Sequence, residues 1–158
     1  MENKDIFFSE IRHGNLSIVK KLIQNNSNLL QIKDTRGSTP LILATYYNHI
    51  EIADVLLESG ASIDDKDETG NTALMGVCFK GYLELAQKLI ARGSNVNERN
   101  TMGASPLIYA VTFNRPEIIK ILLEHGADTS VKDARGNTAL DHAKLQGAPI
   151  LIDLLEGK

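Results

Sequence analysis

The sequence predicts an all-α solenoid of stacked helix-turn-helix units. Three observations predict it: a repeat of 33 residues, a capping residue at the start of each first helix, and an apolar stripe along each second helix. The period is read from the glycines that begin successive units, Gly37, Gly70, Gly103 and Gly136. Because one helix pair cannot bury its apolar stripe alone, such units are stable only when they stack.

Five units fill a single predicted domain, residues 1–158. Their approximate ranges are 4–36, 37–69, 70–102, 103–135 and 136–158. The first unit is divergent, with one extra residue in the loop after Asn26, and the last unit is shortened. Atypical terminal units are typical of repeat solenoids.

The first helix of each of the last four units has start and stop signals. It begins after a hydroxyl residue that can accept a hydrogen bond from a free backbone N–H group, and these residues are Thr39, Thr72, Ser105 and Thr138. It ends near a residue that tolerates left-handed backbone, which is Asn48, Gly81, Asn114 or Gly147.

The second helix carries apolar residues at helical spacing, such as Leu85 and Leu89 in the third unit. It ends at Gly60, Gly93 and Gly126, and Asn26 takes the same place in the first unit. A polar loop follows, with Asp or Asn three residues before the next glycine. These turn residues, Asp34, Asp67, Asn100 and Asp133, can close the loop by bonding their own backbone.

The segments TPLILA, SPLIYA, LLESGASI and LLEHGADTSVKDARGNTAL resemble the ankyrin repeat, and the 33-residue period is similar. The resemblance covers residues 4–158. It implies helix pairs stacked into a curved array with β-hairpin-like loops at one edge. It also implies a concave face of loop tips and first helices that binds other proteins.

Two departures from the family pattern stand out. The histidine of the family's TPLH motif is replaced, which predicts loosely held loops; the residues in its place are Ile42, Met75, Ile108 and Asp141. The third unit has Gly76, Val77 and Cys78 where the family usually has small alanines.

The last helix predicts a closed C-terminal end. Glu156 stands in the column that holds Leu57, Ile90 and Leu123 in earlier units, and a polar residue there suits a capping repeat. Charged residues on the first helix pair favour a closed N-terminal end. We therefore expect a complete domain and a monomer.

The composition favours a cytoplasmic protein. Cys78 is the only cysteine, so no intramolecular disulfide is possible, and no apolar run reaches the length of a membrane helix. The net charge of −3 and pI near 5.8 give no general attraction to nucleic acid or to an anionic membrane.

No catalytic or metal-binding pattern is present in the sequence. The histidines, His13, His49, His125 and His142, do not cluster with Cys78 at ligand spacing. Cys78 lies in an apolar helix, where a thiol is usually an inert core residue. We therefore predict no enzyme activity, no metal and no cofactor.

The concave face implied by the resemblance holds two groups of candidate contacts. Late in the first helices lie Tyr46, Tyr47, Phe79, Lys80, Thr112 and Phe113, whose aromatic members could anchor a partner or pack between units. In the loops lie Lys33, Arg36, Lys66, Arg99, Met102, Lys132 and Arg135. The basic column before each turn residue could face an acidic partner, or it could be solvated as is common in this family.

These features predict an adaptor or regulator that binds a partner protein. An inhibitor that docks on the catalytic domain of an enzyme such as a kinase is the alternative. In the small inhibitors of that type one first helix is shortened, whereas every internal unit here keeps its full length. A companion protein for one partner stays open as a third possibility.

Overall fold

The computed structural model describes residues 3–158, and Met1 and Glu2 of the predicted domain lie outside that range. Within it, five pairs of α-helices follow one another and no strand occurs. The helices are α1 Asn3–His13, α2 Leu16–Asn25, α3 Pro40–Tyr46, α4 Ile50–Glu58, α5 Ala73–Lys80, α6 Leu83–Ala91, α7 Pro106–Thr112, α8 Pro116–Glu124, α9 Ala139–Leu145 and α10 Pro149–Glu156.

The four predicted capping residues begin the first helices of the last four units. The side chain of Thr39 accepts a hydrogen bond from the backbone N–H of Ile42 at 3.1 Å, and Ser105 accepts one from Ile108 at 3.3 Å. Thr72 and Thr138 make the same bond in their units. The predicted helix starts are confirmed.

The predicted stops of the first helices are confirmed as well. Asn48 and Asn114 have φ values of 60° and 56°, in the left-handed region that asparagine tolerates better than most residues. The first unit differs at its second helix. Asn26 ends α2 with an extended φ of −152°, because a 3₁₀ turn, Ser27–Gln31, follows at once and takes up the extra residue.

The apolar stripes form one continuous core. Leu56, Leu89 and Leu122 occupy the same position in successive second helices, and all three are fully buried. The first helices contact one another in chain order, α1 with α3, α3 with α5, α5 with α7 and α7 with α9. This stacking is the predicted solenoid.

Glu156, on which the prediction of a closed C-terminal end rests, is exposed. Leu145 and Ile150 of the same unit are also 75% and 71% exposed. Their exposure does not test the prediction, because it is a property of their columns. Leu145 shares its column with Tyr46, and the column of Ile150 holds exposed glutamates in the three preceding units, so both columns face solvent throughout the stack.

Candidate protein-binding face

Four aromatic rings lie exposed at the ends of the first helices. Tyr46 and Tyr47 close α3, Phe79 lies in the last turn of α5, and Phe113 caps α7. Their exposed fractions lie between 37% and 44%. We call these four residues the aromatic patch.

The rings of the aromatic patch contact one another in pairs. Tyr46 and Tyr47 are arranged edge to face with centroids 5.4 Å apart, and Phe79 and Phe113 are arranged in the same way at 4.6 Å. Tyr109 stacks against Phe113 at 6.2 Å. Aromatic pairs with this geometry stabilise each other, so each ring can pack between repeat units and still contact a partner.

Lys80 places a cation over one ring of the aromatic patch. Its ammonium lies 4.8 Å from the centroid of the Tyr46 ring and 5.8 Å from that of Tyr82, which places a cation over aromatic faces. Thr112 lies in the same region and is exposed, while its carbonyl oxygen accepts a hydrogen bond from Gln146 at 3.0 Å. Both predicted contact residues therefore border the aromatic patch.

The basic column before the turn residues bridges successive units. The Lys33 ammonium donates to the carbonyl oxygen of Lys66 at 2.7 Å, and the Lys66 ammonium donates to that of Arg99 at 3.1 Å. The Arg99 guanidinium in turn donates to the carbonyl oxygen of Lys132 at 2.6 Å. These side chains thus hold the loops together, and a role in binding a partner stays a prediction for them.

The loops are also joined through their backbones. Thr101 N–H donates to the carbonyl oxygen of Thr69 at 3.0 Å, and Ala134 N–H donates to that of Met102 at 2.9 Å. With the bonds of the basic column, they tie neighbouring loops closely. The expectation of loosely held loops is therefore wrong for these units, because side-chain and backbone hydrogen bonds join their loops.

The remaining predicted loop residues lie at the loop tips. Arg36 and Arg135 are exposed and donate their backbone N–H groups to the turn residues Asp34 and Asp133. Met102 is 58% exposed. Together with the aromatic patch, they give the face a mixture of apolar and cationic groups.

Each of the four turn residues closes its loop through its Oδ1 atom, as predicted. Its second side-chain atom, Oδ2 in aspartate and Nδ2 in asparagine, remains free for another bond. Asp133 Oδ2 lies 2.7 Å from His142 Nε2. Asn100 Nδ2 donates to the Tyr109 hydroxyl at 3.0 Å, and Asp34 Oδ2 lies 3.6 Å from the Arg12 guanidinium. Across residues 3–158, only the Asp67 Oδ2 atom in this set makes neither a hydrogen bond nor an ion pair.

The environment of Asp133 shifts its acidity. Burial alone would raise its pKa, but hydrogen bonds from the Asn137 backbone, from His142 and from the Arg135 backbone outweigh burial. The pKa of Asp133 therefore lies below its ordinary value of 3.8. The Thr138 backbone likewise lowers the pKa of Asp141 through a hydrogen bond to its carboxylate.

A pocket of about 320 Å³ opens beside the aromatic patch. Its walls are largely apolar, and its lining includes Ile42, Tyr46, Met75, Phe79, Tyr109 and Phe113. Gly76 lies in the wall, and a Cβ atom built on it would meet no atom within 4 Å. Asp67 also lines this pocket. We call this space the Gly76 pocket.

Sequence reasoning named three of the residues around this pocket and missed the others. Tyr46, Phe79 and Phe113 were predicted, whereas Asp67 and Gly76 were read only as structural features. The sequence did contain a signal for the pocket. At the position of Gly76, the second, fourth and fifth units have larger side chains, which are Leu43, Tyr109 and His142.

The structure also bears on the thiol of Cys78, on metal binding and on membrane spans. Cys78 is fully buried, and burial raises the pKa of its thiol. No group of three or more potential ligand side chains comes together in residues 3–158 to hold a metal ion. Across the same residues, no helix combines the length and apolarity needed to cross a membrane.

The stacked helix pairs and the linked loops define a helical repeat solenoid. A family model for ankyrin repeats in three copies matches residues 7–100 and again residues 74–157, which together span most of the chain. The chain belongs to the ankyrin-repeat family.

Curated relatives match only part of the chain. Protein fem-1 homolog C of Danio rerio is 36% identical over 62 residues, which is 37% of this chain and 10% of that protein. The Xenopus laevis fem-1 homolog C is 35% identical over 69 residues, covering 40% of this chain and 11% of that protein. Ankyrin repeat and SAM domain-containing protein 6 of Mus musculus is 32% identical over 60 residues, which is 38% of this chain and 7% of that protein. The matches thus span about a tenth or less of each relative.

Proposed function

We propose that this chain is a non-catalytic protein-binding module, an adaptor or regulator that holds its partner against the concave face. The observation that carries the proposal is the aromatic patch, in which four rings stay 37% to 44% exposed although they sit beside the core. Leaving such rings in water is unfavourable, and burying them against a partner recovers that free energy at a small cost in conformational entropy.

The charges around the patch support a protein as the ligand. Lys80 lies over the Tyr46 ring and Arg36 lines the same space as Tyr46 and Tyr47, and a polar rim about an aromatic centre is typical of protein interfaces. The proposal includes a cytoplasmic location and a monomeric state. The lone buried cysteine supports the location, because the chain needs no oxidising compartment to fold.

The test is quantitative capture of proteins from a lysate of the source cells, followed by titration of any captured protein. The wild type is compared with the triple variant Tyr46→Ala/Phe79→Ala/Phe113→Ala. Loss of central aromatic contacts is expected to weaken binding by at least about 30-fold, since one such residue often contributes 2 kcal/mol or more.

The matched control changes exposed residues on the second helices of the same region. Glu84→Ala/Glu117→Ala should retain the partner as well as the wild type does. Circular dichroism must show that both variants are folded. Equal retention by the aromatic variant would contradict the proposal and move the binding surface elsewhere.

A further inference from the structure

The Gly76 pocket exists because one side chain is missing from the stack. Gly76 lies inside α5, where glycine costs about 1 kcal/mol relative to alanine. The same column holds Leu43, Tyr109 and His142 in neighbouring units, and no neighbouring atom has moved in to fill the space at Gly76. The chain therefore carries an open, apolar hole at a position where larger residues fit the fold.

The size of this hole suits a side chain. Its volume of about 320 Å³ lies at the lower limit of ordinary small-molecule pockets. Its mouth lies among the half-exposed rings of Tyr46, Phe79 and Phe113, so it opens on the proposed binding face. A large apolar side chain on a partner surface could enter it without any change in the helices.

The polar part of the pocket is anionic. Asp67 is the only ionised residue in its lining. Its Oδ1 atom accepts bonds from the N–H groups of Thr69 and Asn71 and from the Thr69 hydroxyl, all between 2.8 and 2.9 Å. Its Oδ2 atom, as described above, has no partner within residues 3–158. One carboxylate oxygen is thus fixed by the turn, which orients the other and leaves it available.

The charges around Asp67 are mixed. Lys66 is paired with Glu98 at 2.8 Å, and Lys80 is held over the rings of Tyr46 and Tyr82. Glu68, next to Asp67, is exposed and forms no ion pair among the described residues. Lys80 and Arg36 keep their positive charges nearby, so it is the Asp67 carboxylate itself, rather than a net negative surface, that a partner cation would complement.

We propose that the Gly76 pocket receives one large apolar side chain of the partner protein, with an adjacent lysine or arginine of the partner bonded to Asp67 Oδ2. This inference rests on the proposed function and specifies the chemistry of the partner. The apolar group supplies burial, and the cation supplies orientation and selectivity.

The first test uses defined probes and the amide signals of the ¹⁵N-labelled protein. 3-Phenylpropylamine is compared with 3-phenylpropan-1-ol and 3-phenylpropanoate. The amine should cause saturable shifts at Asn71, Gly76 and Phe79, and it should bind at least about fivefold more tightly than the alcohol because of the charge-assisted bond. Equal affinity of the amine and the alcohol, or no saturable shift, would overturn the inference.

Two variants separate the apolar and the ionic parts. Gly76→Leu places in the third unit the residue that the second unit has, Leu43, and should abolish binding of the amine. Asp67→Asn should remove only the advantage of the amine over the alcohol. The turn should persist in this variant, because Asn100 closes the equivalent turn with its own Oδ1 atom. Thermal unfolding checks that both variants are folded. If the leucine variant unfolds, Gly76→Ala takes its place in the binding test, because the space around Gly76 admits a methyl group.

The second test asks for a protein ligand. A displayed library of random 12-residue peptides is selected on the wild type. The recovered peptides should share a large apolar residue beside a lysine or arginine, and they should bind Gly76→Leu at least about tenfold more weakly. Binders without this pattern, or a selection that yields none, would overturn the inference.

Comparison with the aromatic variant distinguishes the two proposals. Peptides that bind Gly76→Leu normally but are lost by Tyr46→Ala/Phe79→Ala/Phe113→Ala would overturn the pocket and leave the concave face standing. Peptides that bind the aromatic triple variant as well as the wild type would contradict the proposed function itself.

Discussion

The third and fifth units begin with the same five residues, GNTAL, at 70–74 and 136–140. Only the third unit has the Gly76 pocket beside its turn aspartate, whereas in the fifth unit a histidine bonds that aspartate. Both have an aspartate three residues earlier, and both cap the first helix with threonine. In the fifth unit, His142 bonds the turn aspartate and Asp141 completes a capping box with Thr138.

In the third unit the two corresponding residues are Met75 and Gly76. Met75 is buried, and Gly76 leaves the pocket beside Asp67. The residues at these two positions therefore determine whether the Oδ2 atom of the turn aspartate is bonded within its own unit. The shared residues build the scaffold, and the variable ones set its surface.

The largest expected effect lies in the core that the two units share. Leu89→Ala should lower the free energy of unfolding by about 2–5 kcal/mol, because it empties a fully buried position. Leu155 is its counterpart in the fifth unit and is only half-buried, so Leu155→Ala should cost less. Urea unfolding followed by circular dichroism measures both. A loss below about 1 kcal/mol at Leu89 would show that the inner face is wrongly assigned.

Substitutions at Gly76 and at its counterpart His142 should change the free energy of unfolding in opposite directions. His142→Gly should cost about 2 kcal/mol, since it removes a hydrogen bond to a carboxylate and places glycine inside a helix. Gly76→Ala should raise the free energy of unfolding by about 0.5–1 kcal/mol, because the new methyl group meets no atom. The unfolding midpoints give both values, and changes of the same sign would refute the contrast.

The smallest expected effect is on stability in acid. The pKa of Asp133 is below 3.8 in the folded chain, so the folded state binds fewer protons than the unfolded state. The resulting stability is present above that ordinary value and is lost as the pH falls through the folded pKa. Asp133→Asn should therefore lose less stability than the wild type between neutral pH and pH values below 3.8.

Thermal unfolding midpoints of both proteins across this range measure the difference. A variant that loses as much stability as the wild type on acidification would show that Asp133 gains nothing from its ionised form. Asp141→Asn provides a second case of the same sign, because its pKa is lowered too, chiefly by the Thr138 backbone.

Much of the fold could be predicted because its signals are local. Thr39 and Thr72 cap their helices through bonds to residues three positions away. Asn48 has a left-handed backbone, which asparagine tolerates better than most residues. Asn26 was harder to predict, since its extended backbone depends on the 3₁₀ turn that follows it.

The candidate site could be predicted only in part. The exposed rings of Tyr46 and Phe79 follow from their place at the end of a first helix, which the period of 33 residues reveals. The bonds made by Lys33 and Arg99 do not follow, because a long side chain can face solvent or reach back to a neighbouring loop. The structure shows the second arrangement.

The number of units, the limits of their helices and the stripe that they bury follow from the sequence alone, because these features depend on residues close together in the chain. The tertiary structure decided which polar atoms find partners. Asp67 and Asp133 occupy the same place in their repeats, but His142 bonds the Oδ2 atom of Asp133, whereas no group within residues 3–158 bonds the Oδ2 atom of Asp67. That difference depends on the shape of the space left when the units stack, so the pocket beside Gly76 appears only in the assembled fold.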